Sequence, residues 1–257
     1  MALGPDAVLL TDRVAVVTGA AVGIGRAIAL ALARFGAHVA VCDRDAENLA
    51  ATAGAIAASG RRTVSDVFDV RDGELVRRFF AQVGDQLGAL DILVNNAGGG
   101  FQAPFVEVSE KGQDALMREN FTQVAHCIRA AAPLMTTGRG SIINITSIEA
   151  HRAGPGFAVY SAMKAAIANL SKSLALELGA HHIRVNCIAP DVIPTPGIGE
   201  VPIKTPLPRA GHVDDVAGAA VFLASDLSRF VTGVTLHVDG GNRAAGGWRR
   251  EGQGFTT

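Results

Sequence analysis

Short runs that are apolar at nearly every position alternate with longer stretches of helical spacing almost from end to end of this 257-residue chain. Val14-Ala15-Val16-Val17 and Ile142-Ile143-Asn144-Ile145 are the clearest runs. A strand with one face in water would switch between apolar and polar at every step, and these do not. Strands apolar on both faces belong in parallel sheets covered by helices on each side. Candidate strands fall at 14–18, 38–42, 63–68, 92–95, 141–146, 184–188 and 235–238, and helical patterns at 23–35, 46–59, 73–86, 114–135, 158–178 and 214–224. Strands and helices in alternation, joined by right-handed crossovers, predict an α/β fold: a doubly wound, seven-stranded parallel sheet flanked by helices. No break in composition divides the chain, so one domain is expected over 1–257. Two segments leave the pattern. A proline-rich loop at 190–212 contains Pro190, Pro194, Pro196, Pro202, Pro206 and Pro208, which excludes an uninterrupted helix. The tail at 240–257, rich in glycine and arginine and carrying Trp248, is expected to be an irregular extension.

After the first strand comes Thr18-Gly19-Ala20-Ala21-Val22-Gly23-Ile24-Gly25, then an alanine-rich helix. Glycines in that position allow a tight turn, close approach of backbone to a pyrophosphate, and close packing of helix on sheet. The helix N-terminus supplies N–H groups and a favourable dipole. Residue 28 is Ile, so the spacing is not the common G-x-G-x-x-G, yet the strand-to-helix context is the required one. Asp43 closes the second strand, where a carboxylate accepts hydrogen bonds from ribose hydroxyls and repels a 2′-phosphate. Ala20, Ala21 and Val22 offer such a phosphate no cation; Arg44 could. NAD is therefore expected in preference to NADP.

Tyr160 is the only tyrosine, and Lys164 is one of four lysines. Spacing of i, i+4 puts both on one helix face. A phenol ordinarily titrates near ~10 and is a poor base at neutrality. A neighbouring ammonium is expected to stabilise the phenolate and lower that value. Ser147 follows the fifth strand, at the carboxyl edge where doubly wound sheets bind ligands.

In these residues the chain resembles the short-chain dehydrogenase/reductase family over nearly its whole length. The family's Thr-Gly-x-x-x-Gly-x-Gly is Thr18 to Gly25, its Asn-Asn-Ala-Gly is Asn95-Asn96-Ala97-Gly98, and its Ser and Tyr-x-x-x-Lys are Ser147, Tyr160 and Lys164. The resemblance implies a single-domain Rossmann fold and an oxidoreductase that interconverts a secondary alcohol and a ketone by hydride transfer. It implies a catalytic set of Asn120, Ser147, Tyr160 and Lys164, in which Tyr160 moves the proton, Ser147 binds the reacting oxygen, Lys164 holds the nicotinamide ribose, and Asn120 holds a water of a proton relay. It implies cofactor contacts from Gly19, Gly23, Ile24, Gly25, Asp43, Arg44, Asp69, Val70, Asn96, Ala97, Gly98, Tyr160, Lys164, Pro190, Ile193 and Thr195, with Asp69 beside the adenine. A homotetramer is the usual assembly of such relatives.

The likeness to bacterial hydroxysteroid dehydrogenases suggests a hydroxysteroid or other bulky alcohol; the likeness to 3-oxoacyl-[acyl-carrier-protein] reductases suggests a 3-oxoacyl thioester of a carrier protein or coenzyme A. A non-catalytic NAD-binding protein on the same fold is the alternative from another class. The chain departs from the family at Asp191, where glycine is usual, and in the short segment between Thr195 and Arg209, which points to an open or pre-shaped cleft rather than a helical lid. Glu149 and His151 are candidates to read a polar substrate group, and Phe101 and Phe157 to form apolar walls.

Charge excludes other partners. Charged residues are 18% of the chain and the net charge is −1, without blocks of one sign, so nucleic acid and anionic membranes find no electrostatic purchase. No apolar run approaches the ~18 residues of a membrane span, and the first thirteen residues lack the basic start of a secretory signal. Cys42, Cys127 and Cys187 are odd in number and widely spaced, as expected of reduced thiols in a cytoplasmic protein. His181 and His182 lack a ligand set, so no metal site is expected.

Overall fold

The structure is a computed structural model that describes residues 3–196, 198, 202–251 and 254–256. Seven strands form one parallel sheet in the order β3-β2-β1-β4-β5-β6-β7. They are β1 (Val14–Thr18), β2 (His38–Asp43), β3 (Thr63–Val67), β4 (Ile92–Asn95), β5 (Gly140–Ile145), β6 (Ile183–Pro190) and β7 (Thr235–Val238). Alternation within each strand divides the core. Ala15, Val17, Val39, Val41, Ile143 and Ile145 face one side, while Val14, Val16, Ala40, Cys42, Leu93 and Ile142 face the other.

Helices α1 (Gly23–Arg34), α2 (Ala46–Ala58) and α7 (Val213–Ala224) cover the first face. The second is covered by α3 (Gly73–Leu87), α5 (Gln123–Ala131) and α6 (Ala158–Glu177), with α4 (Glu110–Met117) beside α6. Every residue of β1, β4 and β5 is buried, as strands between two helical layers must be, whereas the edge strands β3 and β7 are only partly covered. The fold is thus a single Rossmann-like domain, as the alternating pattern predicts.

Two expectations are corrected. The helical pattern at 114–135 is not one helix: α4 and α5 are joined by a π-helical turn, Arg118–Thr122. The cause is Asn120, whose amide Nδ2 donates to the Leu116 carbonyl at 3.0 Å and to the Gly99 carbonyl at 2.7 Å. A side chain that takes an i−4 carbonyl competes with the backbone ladder and bends it. The tail is not wholly irregular: it contains a short helix, α8 (Asn242–Ala245), and an antiparallel pair, β8 (Arg249–Glu251) with β9 (Gly254–Thr256). The proline-rich segment behaves as expected, with neither helix nor strand among the described residues of 191–212. Residues 197, 199–201, 252, 253 and 257, covered by the same loop and tail expectations, lie outside the described residues.

One buried acid fastens the amino edge of the sheet. Asp91 is 2% exposed and accepts from the Val14 N–H at 2.9 Å, the Thr137 hydroxyl at 2.7 Å and Arg139 Nε at 2.9 Å. Removing it strands three donors, two of them at least partly cut off from water. We expect Asp91→Ala to lower unfolding free energy by about 3 kcal/mol, read from urea denaturation, without changing cofactor affinity.

Candidate active site

The strand order reverses between β1 and β4, so the loops after these strands diverge and leave a cleft at the carboxyl edge of the sheet. The cleft holds about 850 Å³. Its floor is stitched by Thr18 and Asn96. Thr18 Oγ1 accepts the backbone N–H groups of Asn96 and Ala97, each at 3.1 Å, and Asn96 Nδ2 donates to the carbonyls of Thr18 at 3.0 Å and Gly19 at 2.9 Å. The stitching leaves no room at Gly25, where a Cβ would lie 2.1 Å from the Gly19 oxygen and 2.4 Å from Asn96 Nδ2. Gly19 and Gly23 hold φ of +66° and +60°, the left-handed region that glycine enters freely.

Helix α1 starts at Gly23 without a side-chain cap, so its first N–H groups open onto the cleft. Such a terminus suits an anion. Asp43 Oδ2 accepts the Ala21 N–H at 3.0 Å, and Oδ1 accepts those of Arg44 at 2.7 Å and Asp45 at 3.1 Å, which fixes the carboxylate beside the glycine turn. Both arginines nearby face acids: Arg44 Nη2 is 3.8 Å from Glu119 Oε1, and Arg71 forks onto Asp69. That fork holds the Asp69 carboxyl below the usual carboxylate range. A glycine cradle, an uncapped helix start and a fixed carboxylate are what a nicotinamide dinucleotide needs.

The opposite wall carries the proposed chemistry. Ser147 follows β5 and starts a 3-10 turn by accepting the Glu149 N–H at 3.2 Å. Tyr160 and Lys164 share one face of α6, with Lys164 Nζ 5.6 Å from the centre of the Tyr160 ring and 2.9 Å from the Ile145 carbonyl. Gly100 lets the backbone lie flat on that ring; a Cβ there would stand 3.1 Å from Tyr160 Cδ2. Asn120 is fully buried behind the cleft and also accepts the Gly99 N–H at 3.3 Å. A Cβ on Gly98 would approach Asn120 Oδ1 at 2.9 Å and Lys164 Nζ at 3.2 Å, so amide and ammonium meet on either side of one glycine.

All expected cofactor and catalytic residues except Asn120 line this one cleft: Val70, Ile24, Ala97, Pro190, Ile193 and Thr195 close it together with those named above. The glycines at 99 and 100, Phe68 and Arg71 also line it and were not anticipated. The run Gly98-Gly99-Gly100 was the available signal, since three successive glycines after a strand mark close backbone approach.

Burial sets the protonation states, and here the sequence expectation is corrected. Tyr160 lies above its ordinary pKa, chiefly through burial, against the Ser147 hydroxyl and with a further push from Glu149. Lys164 falls to about 8, because its ammonium is buried. The groups that move the phenol are Ser147 and Glu149 together with burial, whereas the Lys164 ammonium donates to the Ile145 carbonyl at 2.9 Å. Glu149 and His151 are each only partly engaged: Arg152 donates to Glu149 Oε1 at 2.8 Å and the His151 ring packs on His237 at 4.7 Å, while Glu149 Oε2 and His151 Nε2 are buried without a hydrogen-bond partner among the described residues.

The chain matches the family model described as enoyl-(acyl carrier protein) reductase over residues 19–243. It is 39% identical to gluconate 5-dehydrogenase of Gluconobacter oxydans across 92% of this chain and 97% of that protein. It is 35% identical to 3-oxoacyl-[acyl-carrier-protein] reductase of Thermotoga maritima across 90% and 98%. Carveol dehydrogenase of Mycobacterium avium, solved with NAD, superposes with a TM-score of 0.84 at 32% identity, covering 90% of this chain and 97% of that one.

A lysine whose folded pKa lies below its unfolded value of 10.5 destabilises the fold while charged. Above pH 8 the folded form has lost the proton that the unfolded form keeps, so stability rises with pH until 10.5. We expect wild type to gain roughly 2–3 kcal/mol over Lys164→Met between pH 7 and 10, measured by paired urea titrations.

Proposed function

The chain belongs to the short-chain dehydrogenase/reductase family, and on that premise we propose that it is an NAD(H)-dependent enzyme in which Tyr160 is the general acid/base for a bulky secondary alcohol or its ketone. Family membership makes it an oxidoreductase of CH–OH groups that binds a nicotinamide cofactor. The observation that carries the finer reading is that Ser147, Tyr160 and Lys164 form one wall of a cleft whose other wall is the glycine turn with Asp43.

When bound, the nicotinamide dinucleotide accepts or supplies the hydride and, when oxidised, brings positive charge. Tyr160, like any phenol, keeps its proton at neutral pH, and burial tightens that hold, so it stands ready to protonate the oxygen of a ketone. In the other direction it must lose that proton, which alkaline pH favours. Ser147 holds the reacting oxygen and stabilises charge on it. Lys164 anchors the cofactor ribose; Asn120 fixes the Gly99 backbone beside it and supports the proton path. Preference for NAD follows from Asp43, fixed by three N–H donors, and from Arg44 and Arg71 already facing Glu119 and Asp69.

The substrate end is lined by Ser147, Glu149, Phe157, Tyr160, Val192 and Ile198, with no cation among these described residues. Val192 and Ile198 are exposed at 49% and 54%; Phe101, expected as an apolar wall, is not among the residues that line the cleft. Apolar rims of this kind fit a bulky neutral alcohol, a hydroxysteroid being the model compound, better than a sugar acid. A 3-hydroxyacyl thioester is the second reading, favoured by the likeness to the carrier-protein reductase. We place the enzyme in the cytoplasm as a homotetramer; large exposed apolar side chains such as Val106, Leu176 and Phe230 are the surfaces subunits would cover.

NADH formation from a panel of hydroxysteroids, 3-hydroxyacyl thioesters and gluconate tests these assignments. We expect steroid turnover that climbs with pH above neutrality, with NAD outperforming NADP at least tenfold in kcat/KM. Tyr160→Phe should abolish turnover while NAD affinity stays within a few-fold. Residual activity in that variant above a few per cent, or NAD binding with no turnover on any alcohol, would overturn the assignment.

A further inference from the structure

Asp191 stands where the family resemblance leads one to expect glycine, at the point where β6 gives way to the substrate loop. Its side chain is only 9% exposed, and every acceptor it offers is used. Oδ2 accepts from Asn242 Nδ2 at 2.6 Å. Oδ1 accepts the Val192 N–H at 2.8 Å and lies 3.5 Å from Arg152 Nη2. Arg152 reaches on to Glu149 Oε1 through Nη2 at 2.8 Å and Nε at 3.2 Å, and the Glu149 N–H ends on the Ser147 hydroxyl. One hydrogen-bonded chain thus runs from Asn242 through Asp191, Arg152 and Glu149 to the serine on the catalytic wall.

The segment that provides Asn242 also holds the far limb of the loop. The Leu207 N–H donates to the Gly240 carbonyl at 3.0 Å. Gly240 and Gly241 adopt φ of +59° and +89°, and Thr205 and Pro206 pack so closely that a Cβ on Gly240 would stand 2.9 Å from Thr205 Cβ. Asp239 shapes this turn by accepting the N–H groups of Gly241 at 3.0 Å and Arg243 at 2.8 Å. Residues 239–242 therefore grip the loop at both ends, near Asp191 and near Leu207.

We propose that Asp191 is a positioning residue that, with Asn242, clamps the substrate loop to the C-terminal segment and to the loop carrying Ser147, so that the substrate wall is set before substrate arrives. A glycine there would leave Asn242 without its acceptor and Arg152 with Glu149 alone. A wall held in its bound shape spares the ordering that a loose loop must undergo on binding, so the clamp acts on substrate affinity. Bulky alcohols, which touch more of the wall, depend on it more than small ones. The proposal deepens the alcohol dehydrogenase reading and rests on it for its kinetic part.

The test uses full-length wild type, Asn242→Ala, Asp191→Gly, Asp191→Asn and the double variant of Asn242→Ala with Asp191→Gly. Steady-state kinetics on the best alcohol, NAD affinity by fluorescence and hydrogen exchange over residues 203–209 are measured on each. Loss of one hydrogen bond to a buried carboxylate corresponds to about tenfold in affinity. Asn242→Ala should raise KM about tenfold with kcat and NAD affinity within about threefold, and exchange over 203–209 should speed up. Asp191→Gly should raise KM at least as much, and the double variant no further than Asp191→Gly, because that substitution has already removed the acceptor of Asn242. Asp191→Asn, which keeps an acceptor for Asn242, should recover part of the loss.

Unchanged KM in Asn242→Ala, multiplicative effects in the double variant, or unchanged exchange would each overturn the clamp. If no alcohol is turned over by wild type, the activity reading fails instead. Exchange then decides the clamp alone: faster exchange in Asn242→Ala sustains it and identical exchange overturns it.

Discussion

Hydrogen bonds exchanged between Thr18 and Asn96 across the switch point hold together everything from which the cleft is made. Two strands that part company leave backbone donors and acceptors with no ladder to join, and buried groups of that kind must find partners. Thr18 Oγ1 satisfies two donors and Asn96 Nδ2 two acceptors. The consequence is steric. With Asn96 drawn against Gly19, residue 25 can carry no side chain, and α1 comes close enough to β1 for its first turn to open on the cleft. The cradle is a by-product of how the sheet resolves its own unpaired groups.

Burial then does to the chemical groups what stitching does to the backbone. Tyr160 and Lys164 sit on one face of a helix between sheet and loop, and desolvation disfavours the charged form of each. The phenol holds its proton more tightly and the ammonium less tightly, so the two move apart in proton affinity and Lys164 becomes the group that discharges first as pH rises. Polar groups deeper in follow the same rule by pairing: Asn95 Nδ2 donates to Asn144 Oδ1, and Asn144 Nδ2 to Ser171 Oγ, both at 2.8 Å, carrying a hydrogen-bonded line from β4 through β5 to α6.

Much of this was legible in the residues because the signals are local. Strand after strand fell within two residues of its expected bounds, since burial on both faces prints an apolar run regardless of what lies across the sheet. The glycine turn and the i, i+4 register of Tyr160 and Lys164 are likewise properties of a few consecutive residues. What could not be read depends on residues distant along the chain. The break at Asn120 requires the Gly99 carbonyl twenty-one residues away, the tail helix docks through a bond to Asp191 fifty-one residues away, and one oxygen of Glu149 is taken by an arginine that also faces Asp191.

The sequence by itself determined the doubly wound sheet, the glycine turn with its acidic partner, and the family of chemistry, because each is written as a repeat or a spacing within one segment. Only the tertiary structure decided the protonation of Tyr160 and Lys164, the interruption of the helix at Asn120, and the partners of Asp191. Those outcomes depend on how much water each group loses and which distant side chain reaches it, and both are fixed only when the strands and loops are brought together in space.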